Sequence, residues 1–323
     1  MLTKLKSTII MQINHNGKVY KHKFDKQTLR DFNQKFNKPS LIKGLFLILA
    51  YIASIYITIT VFFIFLNKTL ILITLYPLLI IFVARQLRAL ENIIHFGSHY
   101  NLSRNKKLND VIINVLCAYP LMQNVKNYRK SHLRHHNSYG GEDDPCKYRL
   151  ELLKKFHINS FRTYLIFIFC NYPKYLKDYY LTVGSDKKVI TIFLSYYALV
   201  TLVSGLIYSF TYSIFLLITS IISLFIALPL IRMIAEYGEH NYDGTYNVFK
   251  TTFNNLSLID MLLFHPAGDA YHIVHHLHPA VPWWKQKKAH EFLKIYDDLY
   301  KTANSRNYFR EKYTDLSNRS DGS

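Results

Sequence analysis

The chain has 323 residues, 40 Lys and Arg against 21 Asp and Glu for a formal charge of +19, and is 50% hydrophobic and 15% aromatic. That content of Ile, Tyr and Phe excludes a disordered chain, and Cys117, Cys146 and Cys170 form neither a CxxC pair nor an even framework, which excludes a disulfide scaffold and a zinc finger. The basic excess invites a nucleic-acid reading, yet residues 189–231 carry no charge over 43 positions and residues 44–67 none over 24. A spanning helix needs only about 20 apolar residues, so a multi-pass membrane protein is expected, with no nucleic-acid partner and with three free thiols facing reducing surroundings.

Residues 1–43 hold ten Lys and Arg and lack the short apolar core of a cleaved signal. They read as a basic cytoplasmic segment lying on anionic lipid. The first span is expected over 45–66 and, after Asn67-Lys68, the second over 69–86, continuing as helix past the bilayer surface because no breaker follows Pro77. Residues 111–122 and 163–172 are apolar but below spanning length and are expected to be interfacial or re-entrant helices. The run 189–231 would reach about 65 Å as one helix against a hydrocarbon core of roughly 30 Å. It divides near Tyr208-Ser209-Phe210-Thr211 into spans 190–207 and 212–231. Basic residues then number 10 before the first span, 18 in 85–188 and 11 in 232–323, against one, Lys68, at the hairpin tips. This asymmetry puts both termini and the central segment in the cytoplasm, at a bacterial inner membrane or else the endoplasmic reticulum. The expected fold is an all-α integral membrane protein: four transmembrane helices in two hairpins with a cytoplasmic helical cap, one domain over 44–301 and a polar, surface or partly disordered tail over 302–323.

The histidines carry the chemistry. All 15 fall outside the four expected spans, with His95 and His99 in HFGSH, His132, His135 and His136 in HLRHH, and His272, His275 and His276 in HIVHH, while His240 stands alone after the fourth span. Residues at i, i+3 and i+4 share one helix face, so each cluster can aim two or three imidazoles at one point. With histidine at about one residue in twenty, a given HxxHH arises by chance in only a few per cent of chains this long. His15, His22, His157, His265, His278 and His290 read instead as hydrogen-bonded bystanders. Eight or nine imidazoles exceed the shell of one ion and suit two that each keep an open position. Imidazole accepts Zn, Cu, Fe or Ni; a site held against a membrane and acting on something carried in lipid favours iron, which can activate dioxygen.

The HxxxH, HxxHH and HxxHH boxes, their order, the hairpin between the second and third, and the run YHIVHHLHPAVPWW over 271–284 resemble the membrane fatty acid desaturase and hydroxylase superfamily from the first span to about residue 292. The resemblance implies that His95, His99, His132, His135, His136, His272, His275 and His276, with His240 as a ninth ligand 32 residues before the third box, hold two iron ions. It further implies reduction of those irons, binding of O2 as co-substrate and hydrogen abstraction from an unactivated C–H bond. Loss of a second hydrogen gives a double bond in an acyl lipid or acyl carrier; return of oxygen gives an alcohol, as in a lipid or carotenoid hydroxylase. Sterol-type hydroxylases arrange their boxes differently around the spans and fit less well. Electrons are expected from a separate ferredoxin or cytochrome, since no haem-binding domain is recognisable. A metal transporter would place its ligands within the spans, where this chain has no histidine.

Around the boxes, Asp144 in GEDDP reads as the carboxylate that orients a ligating histidine or as an acidic turn before Pro145. Glu236, one turn before His240, would contact the metal or a bound water, orient His240, or be an ordinary polar residue at a helix end. Arg85 and Arg88 are expected to snorkel to the interface, and Trp283 and Trp284 to anchor there. Lys285, Lys287 and Lys288 belong to that anchor or form a docking surface for an acidic electron carrier.

Overall fold

A computed structural model describes residues 8–13, 19–65, 69–153, 160–183, 186–240, 248–301, 303 and 305–306. His15, His157, Lys68 and nearly all of the 302–323 tail lie outside them, so the sequence readings made there are not addressed.

The described chain is mostly helical. It opens with an antiparallel pair, β1 (Thr8–Ile13) and β2 (Val19–Phe24), a small departure from an all-α fold. Helix α1 (Lys26–Phe36) follows, started by Asp25, whose side chain accepts from the Thr28 amide at 2.7 Å. Its Phe32 and Phe36 are buried, and Phe32 lies 5.6 Å from Phe292 and 4.3 Å from His278. The basic lead is thus partly folded onto the protein, because two phenylalanines at i and i+4 give α1 an apolar stripe.

Helices α2 (Leu41–Ile64) and α3 (Thr69–Gly97) form the first hairpin. After α4 (Lys106–Ile113), α5 (Val125–Asn137), α6 (Pro145–Leu153) and α7 (Phe161–Val183), the second hairpin is α8 (Lys187–Ile207) against α9 (Phe210–Ile222). The break falls at Tyr208-Ser209, where the Ser209 hydroxyl accepts from the Tyr212 amide at 3.1 Å. A π-turn over Ser223–Ala227 joins α9 to α10 (Leu228–Glu239). Its Phe225 and Ile226 carbonyls accept from the Tyr180 and Tyr172 hydroxyls of α7, which satisfies backbone oxygens at the distorted turn. Residues 163–172 therefore belong to a 23-residue helix packed on the second hairpin, longer than the interfacial stretch expected, while 111–122 form the end of α4, a π-turn and a 3-10 turn.

Among the described residues three helices are long and apolar enough to cross a membrane: Leu41–Ile64, Lys187–Ile207 and the continuous run Phe210–Glu239. Hydroxyl contacts join the two hairpins. Tyr56 and Tyr196 hydroxyls lie 3.3 Å apart, Thr60 Oγ1 and the Tyr212 hydroxyl 2.7 Å, and the Tyr76 hydroxyl and Thr219 Oγ1 3.3 Å, the kind of hydrogen bond that joins helices where no water competes.

Beyond α10 the chain makes short elements, α11 (Val248–Thr251) and α12 (His272–Leu277), then α13 (Gln286–Tyr296) and α14 (Asp298–Lys301). Trp283 is 3% exposed and Trp284 half-buried, and a Cβ on Gly44 of α2 would sit 3.3 and 3.1 Å from their rings. Trp283 is therefore a core residue that locks the third-box region onto α2 rather than an interfacial anchor. Lys285 is turned inward too, donating to the Lys35 and Lys38 carbonyls at 2.9 and 3.3 Å, while Lys287 and Lys288 are exposed.

Candidate metal centre

Four elements bring the boxes together. The end of α3 supplies His95 and the turn after it His99; Gly97 between them lets α4 approach, since a Cβ there would meet the Ile113 side chain at 2.8 Å. Helix α5 carries His132, His135 and His136, and α12 carries His272, His275 and His276. His240 ends α10 in an extended conformation and forms a β-bridge with Thr252.

The rings converge as two groups. His275 Nε2 lies 2.8 Å from His95 Nε2, 3.1 Å from His132 Nε2 and 3.0 Å from His136 Nε2, with the His99 ring centre 5.0 Å from that of His275. In the second group His276 Nε2 lies 3.3 Å from both His135 Nε2 and His272 Nε2, and His272 Nε2 lies 3.1 Å from His240 Nε2. Two sets of donor atoms able to hold a metal ion, His95, His132, His136, His275 and His135, His240, His276, follow from this geometry. A third set adds Glu239 to His240 and His272.

The donor set fits cations. Neutral imidazoles have one N–H each, so four Nε2 atoms around a common point cannot all find hydrogen-bond partners in one another. Burial pushes His132, His136, His240, His272, His275 and His276 well below the usual imidazole range, and neighbouring imidazoles push the same way. Such rings are neutral, the form that binds a metal. His135 is held well above the ordinary range: burial opposes its charge, but Cys146 and Asp144 outweigh it.

In His135, His95 and His240 the outward-facing Nδ1 meets a neighbour, which sets the tautomer that turns Nε2 inward. Asp144 Oδ1 lies 2.8 Å from His135 Nδ1, and the same side chain accepts from the Gly140 and Cys146 amides. It is therefore both an acidic turn residue and a partner of a box histidine. Asp269 Oδ1 lies 3.2 Å from His95 Nδ1, and Oδ2 lies 3.1 Å from His265 Nδ1. The Tyr139 hydroxyl lies 3.3 Å from His240 Nδ1. Asp269, His265, Glu239 and Tyr139 were not singled out in the sequence as parts of a site. For Asp269 the usable signal was its place three residues before His272.

Arg88 does not snorkel. It is 5% exposed and donates to Glu91 at 2.8 Å, Glu239 at 3.3 Å and Asp269 at 3.4 Å. Arg85 donates to the Leu262 carbonyl at 2.7 Å. Glu236 is turned to Arg232 at 2.7 Å and the Tyr175 hydroxyl at 2.9 Å, and it is Glu239 whose Oε2 comes within 3.8 Å of His272 Nε2. Of the expected bystanders, His290 is paired with the Tyr300 hydroxyl at 2.6 Å, His278 packs on Phe32, and His265 is drawn into the Asp269 cluster.

Helices of membrane-spanning length and groups of histidines that could hold metal ions occur together in this chain. Residues 69–305 match the fatty acid desaturase family, and the chain belongs to it. A dihydrorhizobitoxine desaturase of Bradyrhizobium elkanii is 26% identical over 254 residues, which cover 70% of this chain and 69% of that one.

Proposed function

We propose that the protein is an O2-dependent, di-iron desaturase: His95, His99, His132, His136 and His275 hold one iron, and His135, His240, His272 and His276 the other. The convergence of the Nε2 atoms into two groups carries this reading. Bound iron supplies the means to activate O2. The protein's own part is to keep most of the imidazoles neutral by burial, to orient His135, His95 and His240 through Asp144, Asp269 and Tyr139, and to hold the substrate carbons beside them. One O2, two hydrogens of a –CH2–CH2– unit, two electrons and two protons give a double bond and two waters. The electrons come from a separate ferredoxin- or cytochrome-type protein.

We further propose the four-span arrangement, with α3 crossing over 69–86 and both termini and a cap from 85–188 and 232–301 in the cytoplasm. The count of basic residues, 39 on one side and Lys68 on the other, supports it. The test of function is mass spectrometry of products from membranes holding wild type or His135→Ala, with and without O2. A product lighter by two hydrogens that needs both O2 and His135 is expected. A product heavier by one oxygen would make the protein a hydroxylase on the same metals, and a product that survives in His135→Ala would end the di-iron assignment.

A further inference from the structure

The space beside the histidines is walled by charged as well as apolar side chains. A cavity of about 200 Å³ is lined by His95 and His132 of the first group and by His135, His240 and His272 of the second, so it faces both groups of imidazoles. Its floor is a charged array: Arg88, Glu91, Arg232, Glu236 and Gln123 all line it. Glu91 is 2% exposed and is bonded to Arg88 at 2.8 Å, Arg232 at 2.9 Å and Gln123 at 2.9 Å. These residues lie where α3 and α10 leave the apolar part of the protein: Glu91 is four residues before His95 and Arg232 eight before His240. An apolar chain threaded from the bilayer toward the irons would have to pass them.

Against such a floor a run of methylenes would displace water from guanidinium and carboxylate groups without replacing its hydrogen bonds, which is unfavourable. Met122, Tyr128, Pro145 and Val189 give the cavity apolar surface as well, but the charged side chains of Arg88, Glu91, Arg232 and Glu236 share its wall. The mouth is polar as well. Exposed Asn127, at the start of α5, donates to Asp186 at the start of α8 at 3.0 Å, and both residues line the cavity. Between α2, α3, α8 and α9 an apolar cavity measures about 30 Å³ and is walled by side chains such as Ile55, Val83, Leu87 and Leu216. That is room for about two water molecules, not for an acyl chain.

We infer that the substrate is a small hydrophilic molecule, entering from the aqueous side past Asn127 and Asp186, whose reacting carbons are flanked by hydrogen-bonding groups that meet Arg232, Glu236 and Gln123. This rests on the oxidative reading of the metal centre and replaces the acyl lipid as its substrate. Both signs of charge on the wall suit a molecule that both donates and accepts hydrogen bonds, and a volume below the usual range of roughly 300–1,000 Å³ for ligand pockets suits a small one.

The test separates the substrate from the chemistry. Cells expressing the full chain or its His275→Ala variant are extracted and split into a water–methanol phase and a chloroform phase. Both phases are searched by mass spectrometry for compounds that lose two hydrogens or gain one oxygen only with O2 and His275, and iron is counted in the purified protein. The expected result is a changed compound in the aqueous phase. An unchanged aqueous phase overturns the inference. If the chloroform phase changes instead and two irons are bound, the desaturase reading stands with a lipid substrate; if iron is absent, that reading falls as well. Arg232→Leu combined with Glu236→Leu removes one ion pair and leaves Glu91 with Arg88 and Gln123 as partners. It is expected to retain iron and to lower the aqueous product about tenfold or more; undiminished product with iron retained would remove the substrate from this wall.

Discussion

The Nε2 atoms of His95 and His275 lie 2.8 Å apart although 180 positions separate them in the chain. With its Nδ1 facing Asp269, His95 keeps its proton away from His275, and the single proton of His275 can serve only one of the three Nε2 atoms around its own. A cation between them resolves the conflict. His275→Ala is expected to empty the first group and His276→Ala the second, each lowering the metal content to about one ion per chain, as counted by plasma mass spectrometry. Because bound metal stabilises only the folded protein, a chelator should lower the thermal midpoint of wild type more than that of either variant. Full metal content in both variants would contradict the assignment.

Asp269 holds His95 through one oxygen and His265 through the other. Replacing it with Asn keeps the size but removes the charge and leaves the His95 tautomer unfixed. Loss of such a partner costs about 10–100-fold in metal affinity or activity. Asp269→Asn is expected to fall in that range in a metal titration, while His290→Gln, which alters a pair with Tyr300 remote from the boxes, should leave the metal affinity unchanged.

Arg88 is the shared partner of Glu91, Glu239 and Asp269. Arg88→Leu would leave three carboxylates short of a buried counter-charge, and breaking a buried pair costs about 3–5 kcal/mol, read as a fall in the unfolding midpoint. The same array makes stability depend on pH. Burial raises the affinity of Glu91 for a proton, but the Arg232 and Arg88 guanidiniums outweigh it and hold its carboxyl below the usual 4.5. A carboxylate with a lowered folded value contributes fully above its unfolded value and loses that contribution as pH falls through the folded one. The advantage of wild type over Glu91→Gln should therefore be constant above about pH 4.5 and shrink below it; an advantage that grows on acidification would contradict this account.

Gly268 has φ +79°, and a Cβ there would lie 2.3 Å from the Trp283 carbonyl oxygen. Gly268→Ala combines a left-handed backbone, which costs an L-residue about 1–2 kcal/mol, with a clash against backbone. The turn that aims Asp269 must shift, so lower thermal stability and lower metal content are expected together. A variant that loses neither would show that this turn does not set the site.

Periodicity and charge made the large features legible. Uncharged runs located the helices, and Ser209, a good helix-capping residue, stands at the break between α8 and α9. The histidine spacings revealed the box residues because i, i+3 and i+4 contacts are local. What was not legible depends on distant parts of the chain. Arg88 just beyond an apolar run reads as a snorkelling side chain until the 264–269 segment, 181 positions away at Asp269, is seen to cover it. Trp283 and Trp284 read as interfacial until Gly44 of α2 is found against them. Glu236 drew notice over Glu239 because it lies one helical turn before His240; its pairing with Arg232, four residues back on the same face, is as local and as readable. The polar floor of the cavity joins α3, α10 and Gln123, which precedes α5, and could not be read from any one of them.

Iron itself tests the central claim most directly. Full-length protein purified from cells grown on 57Fe is examined by Mössbauer spectroscopy together with plasma mass spectrometry, alongside His135→Ala and His275→Ala. Two irons per chain in wild type, with a spectrum changed on reduction and on exposure to O2, and fewer irons in each variant, are predicted. Zinc in place of iron, a single iron, or two irons retained in both variants would contradict a di-iron centre built from these nine histidines.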